Sequence, residues 1–296
     1  MLLEKTATGT GGRNSRSRAG NICDGSLKRE ALLPEQERKY EYIVVEQEGP
    51  ITIVTIARPT VYNALHRPAH LELHDAFDRF AEDPDQWVAI ITGAGEKAFC
   101  AGNDLKHQAA GGERGWGASG FAGLSHRFDL MKPVIAAVNG FAMGGGFEIA
   151  LACDLVVAAE NATFALPEPS VGLAATAGGL LRLPREIGMK RGMGMILTGR
   201  RVSAQEGLSL GFVNEVVSEG QALAGAKRWA QEILKLSPMS IRASKQVAMR
   251  GHEMPLQQAL NEQMLFPAVK AMLASSDFVE GPKAFAEKRK PAWSGR

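Results

Sequence analysis

From about residue 40 onward the apolar positions change period along the chain, and each change predicts a new element. Short β-branched runs come first. YEYIVVEQ and ITIVTIAR, parted by Glu48, Gly49 and Pro50, predict a hairpin. Pro68 then opens a helix whose Leu73, Phe77 and Phe80 fall on one face at i, i+4 and i+7. WVAIIT, residues 87–92, predicts a short buried strand, and GAGEKAFCAGNDL after it a turn, a brief strand and a loop. Residues 111–123 hold six glycines around Trp116 and Phe121, a composition that predicts a mobile flap over a site. DLVVAA and TFAL predict two more short strands, and Gly178 and Gly179 open another helix. From Gln221 the pattern is helical, through AGAKRWAQEIL, SIRASKQVAM and one long segment from Pro255 to Met272. An α/β core over 39–220 followed by a helical packing or oligomerisation element over 221–296 is therefore expected. Residues 1–38, rich in Gly, Ser, Arg and Thr without apolar period, are expected to be a disordered extension. No sequence repeat of solenoid length is visible.

The stretch that breaks the apolar pattern most informatively is 133–168, PVIAAVNGFAMGGGFEIALACDLVVAAENATFALPE. Between Val134 and Cys153 only Asn139 and Glu148 are polar, so a carboxylate stands in the middle of core. An unpaired buried charge costs several kcal/mol, so such a group is kept with a partner or for its shifted pKa. Glu168 repeats the oddity, as the only ionisable residue between Glu160 and Arg182, set between Pro167 and Pro169. Two isolated carboxylates suit general acid/base chemistry at carbon or on water. A strand that stops at Gly144, Gly145 and Gly146 and turns into a helix leaves N–H groups at the positive end of the helix dipole with no Cβ in front of them. That is an oxyanion site, with Glu148 in the first helical turn. The plainer alternative has the glycines merely permitting tight packing and Glu148 capping its own helix.

Composition narrows the picture further. With 45% hydrophobic and 22% charged residues in 296, the chain can bury a large core, and a net charge of +2 gives no pull toward nucleic acid. Cys23, Cys100 and Cys153 lack pairwise ligand spacing, which fits a reducing compartment. The apolar stretch around Gly145 is interrupted by the glycines, Asn139 and Glu148, so no membrane span is expected. A cytoplasmic protein is the expectation. The arginines of the first 38 residues raise the alternative of a mitochondrial transit segment, against which stand Glu4, Asp24 and the glycines. His66, His70 and His74 form a ladder, the last two spaced i, i+4 as metal ligands are, but without the H-E-x-x-H glutamate. No metal is expected.

In RPTVYNAL (58–65), ITGAGEKAFCAGNDLK (91–106), KPVIAAVNGFAMGGGFEIALACDL (132–155) and FALPEPSVGLAATAGGLLRLPREIG (164–188), the sequence resembles the crotonase, or enoyl-CoA hydratase and isomerase, superfamily. TGRRVSAQEGLSLGFVNEVV and GPKAFAEKRKPAW extend the likeness to nearly everything after residue 40. The resemblance implies a spiral of ββα units followed by helices that pack a homotrimer or a hexamer. It implies an acyl-CoA substrate, with coenzyme A as part of the substrate and no separate cofactor. It places the oxyanion-hole N–H groups on Asn103 and Gly145, the two catalytic glutamates on Glu148 and Glu168, and the border of the CoA adenine on Ala101, Gly102 and Asp104. The two glutamates would hold one water, one activating it for attack at Cβ while the other handles the Cα proton, or the reverse for dehydration.

GFAGL at 120–124, GGGFE, FALPE and EGPKAFAEKR with PAW are most similar to the carnitinyl-CoA dehydratase subgroup, which would make carnitinyl-CoA/crotonobetainyl-CoA the substrate pair. LAATAGG after Gly172 departs from that subgroup's loop. Trp116, Phe121 and Phe141 are the candidate acyl-pocket residues, the first two as aromatic partners for a trimethylammonium group. An enoyl-CoA isomerase or another lyase of the same scaffold is the alternative. A non-catalytic oligomeric RNA-binding protein is the second.

Overall fold

The structure, a computed structural model, describes residues 40–296, so the expectations for the N-terminal 38 residues lie outside it. The hairpin is β1 (Ile43–Glu48) and β2 (Ile51–Ile56), antiparallel with Glu48 opposite Ile51 across Gly49 and Pro50. Helix α1 (Arg67–Glu82) comes next, with Leu73, Phe77 and Phe80 buried on the face the spacing predicts. Then come β3 (Val88–Gly93), β4 (Ala98–Cys100) and α2 (Leu105–Ala109); β5 (Val134–Val138), β6 (Phe141–Met143) and α3 (Gly145–Ala152); and β7 (Leu155–Ala159), β8 (Thr163–Ala165) and α4 (Gly179–Ile187). These are three successive ββα units. Each sends its first strand to one sheet and its second to another.

The larger sheet has the order β1-β2-β3-β5-β7-β10, with β10 at Glu215–Val217 and every pairing after the hairpin parallel. The smaller has the order β4-β6-β8-β9, with β9 at Val202–Ser203. Repetition of this kind is carried by backbone and apolar pattern, so it leaves no repeat of residues for the eye to find.

The inner strands β2, β3, β5 and β7 of the larger sheet are buried on both faces, which is why they read as apolar runs. Ile53, Val88, Ile90, Ile135 and Val157 point to one side, and Val54, Ala89, Ile91, Ala136 and Val156 to the other. The second side packs on α1, α3 and the phenylalanine cluster of Phe147, Phe164 and Phe212. The first is covered by α7 (Ala222–Leu234) through Ala222, Ala226 and Ala230. A boundary at residue 220 therefore cuts through one core, because the small i, i+4, i+8 alanines of α7 let it lie directly on the sheet. Only the helices beyond α7 are left free of the sheet for the packing role expected over 221–296. These are α8 (Pro238–His252), α9 (Leu256–Glu262), α10 (Pro267–Leu273) and α11 (Ser276–Ala286), while α5 (Met189–Thr198) and α6 (Ala204–Leu210) lie between α4 and β10. The single helix expected over 255–272 is two, since Pro267 has no N–H to continue the first and instead opens the second.

The glycine-rich flap is only partly a loop. Phe121–Gly123 form a buried 3₁₀ turn seated on α1, with Phe121 and Ala122 out of solvent. The glycine content misleads here because Gly123 is a packing residue, its Cα so near the backbone of His74 that a Cβ would stand 2.7 Å from His74 Cα.

Candidate active site

The second strand of each ββα unit ends at one cavity of about 300 Å³. After β4, Ala101, Gly102 and Asn103 form one wall, and after β6, Gly144 and Gly145 form the next. After β8, the segment from Pro167 to Ala177 forms the third, while Trp116 and Phe121 close the side between them.

Asn103 is held by a backbone bridge to Leu65. Leu65 N–H donates to the Gly102 carbonyl and Asp104 N–H to the Leu65 carbonyl, both at 2.8 Å. In such a bridge the intervening residue's own N–H points away from the partner, so the Asn103 amide is not spent on Leu65, and Asn103 itself lines the cavity. Cys100 supports the same loop, its buried thiol accepting from the Gly102 N–H at 3.4 Å. Burial pushes that thiol up to about 12, so it stays neutral.

Opposite, Gly144 ends β6 with φ +54° and donates its N–H to the Ala165 carbonyl at 2.8 Å. Gly145 is then the first residue of α3, where an N–H has no intrahelical acceptor. The two loops nearly touch. A Cβ on Gly102 (φ +89°) would stand 3.0 Å from the Gly145 nitrogen. A Cβ on Gly145 would instead run into the Phe121 ring, at 2.6 Å from Cε1. Gly145 is thus required for packing as well as for an open amide.

Glu148 and Glu168 both line the cavity. Glu148, 3% exposed, has its Oε1 2.8 Å from the N–H of Gly179, the first residue of α4. Burial nevertheless dominates and lifts this carboxyl to about 7. The charge of Glu168 adds to the rise, and the Gly179 and Ala177 N–H groups and Arg182 oppose it. Glu168 sits at the start of a 3₁₀ turn over Glu168–Val171, which the prolines on either side of it help to shape. Its Oε2 is buried with no hydrogen-bond partner among the described residues, and burial raises its pKa too. A Cβ on Gly144 would stand 2.6 Å from Glu168 Oε1, so the first glycine of the triplet makes room for the second carboxylate.

The structure brings Ala101, Gly102, Asn103, Gly145, Glu148, Glu168, Trp116 and Phe121 to one cavity and leaves two predicted residues outside it. Phe141 points away. On β6 the alternation gives the core to Ala142, and Phe141 is exposed beneath the Arg201 guanidinium, 5.7 Å from its ring centroid. The Asp104 carboxylate is spent on its own loop, paired with Arg58 at 3.1 Å and capping α2 through the His107 N–H at 3.1 Å. Burial opposes its ionisation, but those two donors hold its pKa below the usual carboxylate range. The histidines diverge as well. His74 faces Asp78 at 3.3 Å, His66 packs edge-on against Tyr42, and His70 enters the core.

Several wall residues carry no signal in the sequence, among them Gln108 of α2, whose Oε1 accepts from Asn103 Nδ2 at 2.7 Å, and Thr176. Arg182 is legible in the sequence as a charge closing an apolar run but not as a group facing Glu148. It donates to the Ser125 carbonyl at 2.8 Å and offsets part of the Glu148 shift.

Comparison with known proteins shows the family. Residues 46–296 match the family described as enoyl-CoA hydratase/isomerase. A carnitinyl-CoA dehydratase of Salmonella enteritidis is 45% identical over 260 residues, 86% of this chain and 99% of that protein. Among solved structures, an enoyl-CoA hydratase from Mycobacterium tuberculosis aligns with a TM-score of 0.81 at 39% identity, covering 86% of this chain and 99% of that one. A carnitinyl-CoA hydratase from Mycobacterium avium aligns at 0.69 and 41% identity over the same shares. The chain belongs to the enoyl-CoA hydratase/isomerase family.

Proposed function

We propose that the protein is a hydro-lyase that adds or removes water across the Cα–Cβ bond of an acyl-CoA thioester. The observation that carries this reading is the pair of carboxylates, Glu148 and Glu168, both with raised pKa, on one cavity with the α3 N-terminus. In hydration, water attacks Cβ as one glutamate takes its proton, the π electrons move onto the thioester oxygen, and the enolate collapses as the other glutamate protonates Cα. Charge on that oxygen is met by the N–H groups of Asn103 and Gly145. Loss of one such donor typically costs ~10²- to 10³-fold in rate. A carboxyl lifted to about 7 is suited to give and take a proton near neutrality. Coenzyme A enters only as part of the substrate in this mechanism, and Ala101 and Gly102 are the residues proposed to meet it.

A carnitine-type acyl group is the favoured substrate. Among the described residues the cavity wall carries two carboxylates and the aromatic rings of Trp116 and Phe121 but no cationic side chain, a lining that suits a trimethylammonium group, and carnitinyl-CoA dehydratases are among the relatives. The test is the absorbance of the conjugated thioester with crotonobetainyl-CoA and crotonyl-CoA side by side. Higher kcat/KM for the cationic substrate is expected. A preference for crotonyl-CoA removes the carnitine assignment but keeps the reaction, and migration of a double bond without water uptake makes the protein an isomerase.

The working form proposed is a homotrimer or a hexamer built from trimers. Leu256, Leu260, Met264 and Leu265 of α9 and the turn after it are more than half exposed, an apolar face of the kind subunit contacts cover. Sedimentation as a monomer at micromolar concentration would overturn this. No helix among the described residues is long and apolar enough to cross a membrane. The cytoplasm is the proposed location, in keeping with the bacterial relatives.

A further inference from the structure

His70 has no role in the chemistry above, yet it is a polar group set in the core one layer behind the α3 amide. It is 2% exposed on α1. Its Nδ1 accepts the Ala122 N–H at 3.1 Å, which places the imidazole proton on Nε2. Nε2 has no hydrogen-bond partner among the described residues. A leucine or phenylalanine would fill this space and remove the unpaired Nε2–H, but it would leave the buried Ala122 N–H without an acceptor, so packing alone does not account for histidine here.

What the acceptor secures is a strained turn. Ala122 holds φ +55°, a left-handed conformation that an alanine rarely adopts. The neighbouring Phe121 N–H is fixed by Ser125 Oγ at 2.8 Å. The His70 and Phe121 rings meet edge to face with centroids 4.4 Å apart. The Cζ edge of the Phe121 ring lies where a Cβ of Gly145 would stand. The peptide that carries the Gly145 N–H is held at its other end by the Gly144 carbonyl, which accepts the Glu148 N–H at 3.0 Å, and the Phe121 ring packs against the Gly145 Cα.

We infer that His70 is a positioning residue, which through the Ala122 N–H holds the Phe121 ring against Gly145 and so keeps the first turn of α3, with the Gly145 amide, in place. The functional part of this inference rests on the reading of that amide as an oxyanion donor, and the structural part does not. Burial keeps His70 neutral, with its pKa lowered to about 3, so the acceptor is available throughout the neutral range.

The test contrasts His70→Asn, whose Oδ1 reproduces an acceptor near the Nδ1 position, with His70→Leu, which has none. Two readouts are taken on folded full-length protein, kcat and KM with an enoyl-CoA, and the amide resonance of Gly145. His70→Leu is expected to lower kcat by ~10- to 10²-fold with little change in KM, as for a misplaced catalytic group. Its Gly145 resonance is expected to move, and His70→Asn to restore much of both. An unmoved Gly145 resonance, a kcat within about twofold of the parent, or equal loss in both variants overturns the inference. Should neither variant fold, the nitrogen resonances of His70 in the parent protein decide, since a proton on Nδ1 is incompatible with acceptance from Ala122. If the parent turns over no CoA thioester, the proposed function fails, whereas the Gly145 resonance still reports on the relay.

Discussion

Glu148 and Glu168 share a cavity, but the backbone presents them in opposite ways. Glu148 projects from the first turn of α3 and meets the N-terminus of another helix, α4, so its charged form has a donor at 2.8 Å. Glu168 comes from a proline-flanked turn, with one oxygen above Gly144 and the other without a partner among the described residues. Helix dipoles and N–H donors stabilise a carboxylate, while burial without donors stabilises the acid. The difference separates a carboxyl that is held from one that is free to engage a substrate or a water. Four experiments probe that contrast.

The largest effect is expected from removing either charge. Glu148→Gln and Glu168→Gln should each lower turnover by ~10²-fold or more while leaving binding of the CoA ester nearly intact. Near-normal turnover in both removes the hydratase mechanism. Steady-state kinetics with binding measured by calorimetry decides.

Next comes Gly144→Ala, which leaves both glutamates in place but forces a methyl group toward Glu168 Oε1, 2.6 Å from where it would sit, at a backbone φ of +54°. A displaced Glu168 is expected to cost ~10- to 10²-fold in kcat. Glu148, away from the clash, should keep its influence on stability. The same loss of activity combined with a lost pH dependence of melting would show that both carboxyls move together.

That pH dependence is the third test. Glu148 rises from the ordinary 4.5 to about 7 on folding, so the folded chain binds this proton more tightly than the unfolded chain. Its stabilisation is fully present below the unfolded pKa and is lost as pH rises through about 7, a change on the order of 3 kcal/mol. The melting temperature of the parent should therefore fall between about pH 5 and pH 8 more steeply than that of Glu148→Gln. Glu168→Gln should flatten the curve less, because Glu168 is only half-buried. Parallel curves for parent and Glu148→Gln would refute the raised pKa.

The smallest effect is expected at Asn103. Asn103→Ala removes an exposed side-chain hydrogen bond to Gln108 and leaves the backbone bridge to Leu65 in place. A loss of less than about tenfold in kcat/KM is expected, the scale of one exposed hydrogen bond. A loss as large as at the glutamates would make the side chain, rather than the backbone N–H, the working group.

Much of this site is legible in one dimension because its residues contradict their surroundings. A lone carboxylate within an apolar helix and another between prolines stand out, as does a glycine triplet after a strand. Phe141 misleads for the same reason in reverse. It looks like its apolar neighbours, and only its place on β6 shows that the alternation sends it outward to Arg201. Asp104 keeps its loop but not its freedom, since Arg58, 46 residues earlier, occupies its carboxylate.

The alternation of strands and helices, the hairpin, the face of α1 and the two carboxylates were all settled by the amino-acid order, because each depends on periodicity or on a local cost that no distant residue can remove. Which loops meet was a matter for the three-dimensional packing. Parallel pairing of β4, β6 and β8 carries the ends of three distant strands to one cavity, and the alanine face of α7 places that helix on the sheet instead of among the helices beyond it. The support of Gly145 by Phe121 and of Phe121 by His70 joins residues that lie in three different elements, and contacts between separate elements leave no periodic trace in the chain.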